Sequence, residues 1–336
     1  MHNTLLQNKH IMILLFSESL VFVMLCFAFV WAVVLFFRFD FKKYDARQYA
    51  MERKAWLVVT IVVFAVIVKL LLFAYLVFTI DSLSGIVPGA MCAAGVISFN
   101  DYGMMLLYLK MAVLFGFGFW MILNYEDLQS GNYPWFKQKM LLYIVMFLFT
   151  SVELFYEFSF FNAIDIHKVI NCCSTLYGLL EGMNPLPYGF DKTELIVVFS
   201  LSYLLVLSSF KGAQNRVLLF ALLLFAQLAY YIVLYVTGPY IYQQPNHNCP
   251  FCMLQREYYH IGYIVWGLLY GGVFCGIGGV LSEELLNRDK TGLKKLMVLL
   301  LSMFIVVSVL YVAYYYFTNG VFLDDTPVDT MPGMDM

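Results

Sequence analysis

The chain has 336 residues, 62% hydrophobic and only 12% charged, with a formal net charge of -2 and a mean hydropathy of +0.79. So apolar a composition excludes an ordinary soluble domain and leaves an integral protein that crosses the bilayer several times. With no basic block in the sequence, nothing favours binding to nucleic acid.

Eight apolar segments follow in chain order, near residues 11–37, 55–80, 104–124, 140–161, 195–210, 217–238, 262–284 and 296–317. A spanning helix needs about 20 residues, so each predicts one transmembrane helix, the fifth being the shortest. The expected fold is therefore all-α, a polytopic membrane protein of about eight transmembrane helices forming a single membrane domain over 1–336. The first segment has a polar start and no small-residue cleavage pattern, and so reads as a retained span rather than a secretory signal.

The connectors after the first, third, fifth and seventh segments carry 14 of the 20 Lys and Arg residues, from Arg38 and Lys42 to Lys294 and Lys295. The opposite connectors hold only Lys9, Lys168, Lys192 and Arg256. Because cytoplasmic loops collect Lys and Arg, both termini are expected outside. The outer loops 81–103, 162–194 and 239–261 are long and punctuated by Gly and Pro, enough to form an outer cap, while 318–336 reads as a flexible Met/Asp tail.

Apart from Glu283 and Glu284 at the very end of the seventh, the charges within the segments are Glu18, Lys69, Lys110, Glu153 and Glu157, each costing about 2.5–3.5 kcal/mol at mid-membrane. Glu153 and Glu157 share a helix face. Either internal salt bridges hold the first four helices together, or the groups form a proton path towards the outer face. In the seventh segment the pairs Gly267/Gly271 and Gly272/Gly276 have the spacing of helix-packing motifs.

Reactive side chains collect on the outer side: Cys92, Cys172, Cys173, Cys249, Cys252 and all five histidines. Cys26 and Cys275 lie within spans and read as small buried hydrophobes. An oxidising face suits disulfides, with Cys92 able to pair with Cys172 or Cys173, and static staples would use the same residues. It also suits metal handling. His247, Cys249, Cys252 and His260 have usable spacing for copper or zinc, and Met331, Met334 and Met336 in the tail offer thioethers to Cu(I).

The most informative stretch is Asn248-Cys249-Pro250-Phe251-Cys252-Met253-Leu254-Gln255-Arg256. Two thiols separated by two residues close a small disulfide ring or clamp one soft metal ion. If a helix has begun by this point, Arg256 lies about one turn from Cys252, beside the thiols. Over roughly residues 249–264 the run resembles the Cys-Pro-x-Cys-x-x-Gln-Arg motif of the DsbB family, membrane enzymes that oxidise a periplasmic dithiol partner and pass the electrons to quinone. The resemblance implies that Cys249 and Cys252 are the quinone-proximal pair and that Arg256 binds beside the quinone. That family has four helices, and its second cysteine pair follows the C-x-x-C. Here a second pair would come earlier in the chain, as in the vitamin K epoxide reductase relatives, from Cys92 with Cys172 or Cys173.

The function expected is a membrane thiol–disulfide oxidoreductase serving an extracytoplasmic dithiol protein. Its competitors are a non-catalytic copper or zinc protein and a membrane subunit of a larger respiratory complex with structural disulfides.

Overall fold

Segments this apolar satisfy their backbone polar groups in lipid only as helices, and the computed structural model is helical wherever regular structure occurs among the described residues. These are residues 4–39, 46–130, 132–165, 186, 189–212, 214–245, 247–286 and 291–323. Among them, eight helices are long and apolar enough to cross a membrane, and they coincide with the eight segments read from the sequence. The fifth, Lys192–Phe210, is the shortest of them at 19 residues. Large apolar side chains such as Phe16, Phe37, Leu71, Phe155 and Phe220 lie exposed along these helices, which suits a hydrocarbon surround. The protein is an integral membrane protein.

The chain divides into two compact units, one of Met1–Pro88 with Gly95–Ile170, the other of Gly89–Ala94 with Asn171–Met336. The first unit packs α1 (Lys9–Arg38), α2 (Ala46–Leu83), α4 (Asp101–Gln129) and α5 (Phe136–Asn162); of the short α3 (Ala93–Ile97), which lies between α2 and α4 in the chain, only residues from Gly95 onward belong to this unit. Asparagine side chains start two of these helices: Asn8 accepts from His10 N–H at 2.9 Å and Asn100 from Tyr102 N–H at 3.1 Å, each capping an orphan donor. Asn100 Nδ2 also donates to the Phe160 carbonyl at 3.2 Å, tying the start of α4 to the end of α5.

Glu18, Lys69, Lys110, Glu153 and Glu157, the charges away from the ends of the spans, form one buried network. Lys69 Nζ lies 2.9 Å from Glu18 and 3.0 Å from Glu153; Lys110 Nζ lies 2.6 Å from Glu18, 2.8 Å from Glu153 and 3.0 Å from Glu157. Each helix of the first unit's four spans contributes at least one member, so the salt bridges join all four. A second buried pair has a different origin. Lys139, which the sequence places among the connector charges, lies buried in the first turn of α5, 2.6 Å from Asp127 and 3.1 Å from Asn124 Oδ1.

The second unit contains α6 (Lys192–Gly212), α7 (Asn215–Ile232), a π-helical turn (Val233–Thr237), α8 (Gly238–Tyr242), α9 (Ile261–Leu286) and α10 (Thr291–Asn319). Tyr203 and Ser302 hydroxyls meet at 2.6 Å between α6 and α10. Lys294 on α10 donates to Asn215 at 2.8 Å and pairs with Glu283 on α9.

The glycines of α9 divide into two sets. A Cβ on Gly272 would stand 2.5 Å from Leu301, and one on Gly276 would stand 2.4 Å from Leu222 and 2.6 Å from Met297, whereas one on Gly267 would meet nothing within 4 Å. Close packing thus runs along Gly272 and Gly276. Gly276→Val is expected to lower stability by about 1–3 kcal/mol through overpacking, with Gly267→Val near the parent. Thermal unfolding in detergent checks this, and equal losses from the two variants would contradict it.

Candidate functional site: a three-cysteine cluster

The sixth span runs from Asn215 to Tyr242 through the π-helical turn, so it delivers Tyr242 to the start of the loop that carries the C-x-x-C. A wider turn inside an α-helix often marks a functional place. Here Gly238 is needed at its end, because a Cβ would lie 2.8 Å from the Val233 carbonyl oxygen. Gln243 then turns the chain in the left-handed conformation (φ 55°) and ends the helix.

The loop is short of regular structure and rich in specific ties. The Tyr242 hydroxyl donates to the Cys249 carbonyl at 2.5 Å and accepts from Met253 N–H at 3.0 Å, gripping both sides of the C-x-x-C. Trp266 Nε1 on α9 donates to the Pro250 carbonyl at 3.1 Å. Gly262 allows the loop to lie on α9, since a Cβ there would be 2.6 Å from Met253 and 2.8 Å from Leu254. His260 contacts the Leu254 carbonyl through Nδ1 at 2.6 Å; as a carbonyl only accepts, Nδ1 carries the proton. Tyr259 and His260 both adopt positive φ (54° and 55°), a costly conformation for side chains of this size.

Cys92 completes the site from a distant stretch of chain. It immediately precedes α3, and its Sγ lies 3.6 Å from Cys249 Sγ. Gln255 Nε2 donates to the Met91 carbonyl at 3.0 Å, fastening that segment to the loop. The sulfurs of Cys92, Cys249 and Cys252 all lie within 4.8 Å of one another, at exposures of 0%, 2% and 5%.

His247 borders this cluster. Its ring centroid lies 4.5 Å from that of Tyr242, and its Nε2 is buried with no hydrogen-bond partner. Burial holds its pKa below the usual histidine value, against the opposing influence of Cys92, which favours a neutral imidazole. Burial likewise raises the Tyr258 phenol, with the neighbouring Cys252 acting in the same direction.

Of the residues singled out in the sequence, Cys92, Cys249 and Cys252 come together, with His247 alongside. His260 stands apart from the three sulfurs and closes the loop through Leu254. Arg256 does not sit in a helix: Cys252–Leu254 and Arg256–Tyr258 are separate 3-10 turns joined by an extended Gln255, α9 starts only at Ile261, and Arg256 is exposed. The expectation of a helical turn between Cys252 and Arg256 failed because the loop spends its backbone bonds on these two turns. Cys172, Cys173, Met331, Met334 and Met336 lie outside the described residues. Sequence reasoning missed Tyr242 and Trp266, which no spacing rule marks among 25 tyrosines and 5 tryptophans, and it quoted Gln255 in the motif without giving it a role.

Three thiols at this separation suit two chemistries. One is exchange, in which a thiolate attacks a neighbouring disulfide sulfur. The other is coordination, since sulfurs around one zinc at about 2.3 Å stand about 3.8 Å apart in a tetrahedron. A scan against protein-family models finds no match for this chain, and neither do searches of curated proteins and of solved structures.

Proposed function

We propose that the protein is a thiol–disulfide oxidoreductase of a bacterial inner membrane, acting at the extracytoplasmic face and coupled to quinone. The reading rests on one observation above others: Cys92, far away in sequence, stands 3.6 Å from the first cysteine of the C-x-x-C. A static pair within the C-x-x-C would not need a third thiol at that distance. Exchange does, because electrons must enter the pair through another sulfur.

In the proposed sequence Cys249 and Cys252 begin as a disulfide. The Cys92 thiolate attacks Cys249 Sγ, the Cys249–Cys252 bond breaks, and Cys252 leaves as a thiolate that takes up a proton. Cys172 or Cys173, as a thiolate, then attacks Cys92, leaving a disulfide there and a reduced Cys249. An extracytoplasmic dithiol protein reduces that second disulfide and becomes oxidised itself. When bound, a quinone supplies the two-electron acceptor that reoxidises Cys249 and Cys252 and leaves as quinol with both thiol protons. In this reading Arg256, exposed four residues after Cys252, offers directed N–H donors to a quinone carbonyl. Lysine would be a poor substitute, and Arg256→Lys is expected to weaken apparent quinone affinity about tenfold, on the order of 1.4 kcal/mol. Steady-state turnover against quinone concentration measures this, and an unchanged half-saturation would detach Arg256 from the scheme.

The purified protein with a small dithiol and a soluble quinone tests the function directly. Parent protein is expected to reduce quinone, Cys249→Ser to lose turnover, and Cys252→Ser to accumulate a Cys92–Cys249 disulfide visible as a crosslinked peptide. Absence of turnover in the parent, with stoichiometric copper or zinc bound, would favour the second reading, a metal site. That reading is supported by the buried, unpartnered Nε2 of His247, a ring within electrostatic reach of Cys92.

Orientation is tested apart from chemistry. Tyr259, 92% exposed, marks the outer side in this scheme, and exposed Lys137 the inner side. A membrane-impermeant thiol reagent is expected to label Tyr259→Cys in intact cells and Lys137→Cys only in opened ones. The reverse pattern would overturn the orientation.

A further inference from the structure

The charge network of the first unit does not balance. Three carboxylates, Glu18, Glu153 and Glu157, face two ammonium groups, Lys69 and Lys110, and none of the five side chains is more than 4% exposed. Full ionisation leaves one uncompensated negative charge in a dry interior, at an effective cost of several kcal/mol. One positive charge added at the cluster would remove that cost.

The hydrogen bonds show where it belongs. Both oxygens of Glu18 are used, Oε1 by Lys110 and Oε2 by Lys69. Glu153 presents Oε1 to both lysines, and Glu157 presents Oε2 to Lys110. Glu153 Oε2 and Glu157 Oε1 are buried without any partner. The two residues are four apart on one face of α5, and carboxylate oxygens of all three glutamates lie within 4.8 Å of one another. Nearby hydroxyls are committed elsewhere: Thr150 donates to the Met146 carbonyl, Ser151 to Phe147, and Tyr143 to Leu25. A single proton carried between Glu157 and Glu153 would give both orphaned oxygens a partner and bring the cluster to neutrality. A metal cation fits less well, because it needs several oxygen ligands and would stand against two ammonium groups.

We propose that Glu153 and Glu157 share one exchangeable proton, which makes this cluster a proton-binding site in the membrane-spanning part of the first unit. The charged groups that face it are Glu18 from α1, Lys69 from α2 and Lys110 from α4. A surface groove lined by Leu15, Phe155, Phe158, Ser159 and Asn162 lies within one helical turn, along the chain, of Glu18 and Glu157. The inference is independent of the thiol reading.

Infrared spectroscopy of the full chain in detergent at neutral pH tests it. A protonated-carboxyl C=O band is expected, moving to lower frequency in D2O and disappearing in Glu157→Gln. That variant keeps an acceptor for Lys110 and a donor for Glu153, so it is expected to melt at or above the parent's temperature. No such band, a band that persists in Glu157→Gln, or one that does not move in D2O would overturn the proposal. So would a Glu157→Gln variant that fails to fold, which would mean that Glu157 is needed as an anion. Loss of the band on adding sodium at fixed pH would replace the proton by a cation, and equally overturn it.

Discussion

Lys110→Met is expected to destabilise the protein by about 3–5 kcal/mol, the cost of leaving buried charge without its partner. Lys110 Nζ touches all three glutamates of the buried network, at 2.6 Å, 2.8 Å and 3.0 Å. Without it, three carboxylates share Lys69 alone, and methionine supplies volume but no donor. At about 2.1 cal/mol/K of unfolding entropy per residue, the loss in a 336-residue chain corresponds to a fall in Tm of roughly 4–7 °C. Lowering the pH neutralises the stranded carboxylates and is expected to narrow the gap between variant and parent. Replacing Glu18 by Gln in the same chain should recover part of the loss by the same reasoning. A Lys110→Met protein that melts with the parent at every pH would show that these contacts carry no net electrostatic weight.

Tyr242→Phe is expected to loosen the cysteine loop while leaving the spans assembled. The hydroxyl serves the Cys249 carbonyl and the Met253 N–H together, and phenylalanine leaves both buried and unpaired, at about 1–3 kcal/mol. If that penalty falls on local opening of the loop, a small thiol reagent should reach Cys249 about 5- to 150-fold faster, at tenfold per 1.4 kcal/mol. The ring itself is retained, and with it the contacts to His247 and Tyr258 at centroid separations of 4.5 Å and 4.9 Å. Labelling of Cys249 at the parental rate would mean that Trp266 and Gln255 hold the loop without the tyrosine.

The spans were legible in the sequence because hydropathy over about 20 residues is a local, additive property. Even the short fifth span was placed correctly. The charges within spans were legible as costly, and cost implied company, but which lysine meets which glutamate depends on how four helices pack. Cys92 and Cys249 are 157 positions apart, and no local pattern joins them. Arg256 shows the opposite failure. A helical spacing was available in the sequence, yet two short turns and two left-handed residues intervene before α9, because tertiary ties from Tyr242 and Trp266 decide the loop's backbone. Lys139 was misplaced for a related reason: its sequence neighbours look like a polar connector, while Asp127 draws it into the packed interior.

The π-helical turn at Val233–Thr237 sets the register of the sixth span as well as its shape. It takes up an extra residue before Tyr242, and each residue in an α-helix advances the side chains by about 100°. A deletion of one residue within 233–237 would let the helix close into regular α form at little local cost, yet would swing Tyr242 off the loop it grips. Insertions and deletions here therefore act differently from those in the neighbouring α7. They leave a good membrane helix and dismantle the thiol site at its end, so this span should tolerate changes of residue type far better than changes of length.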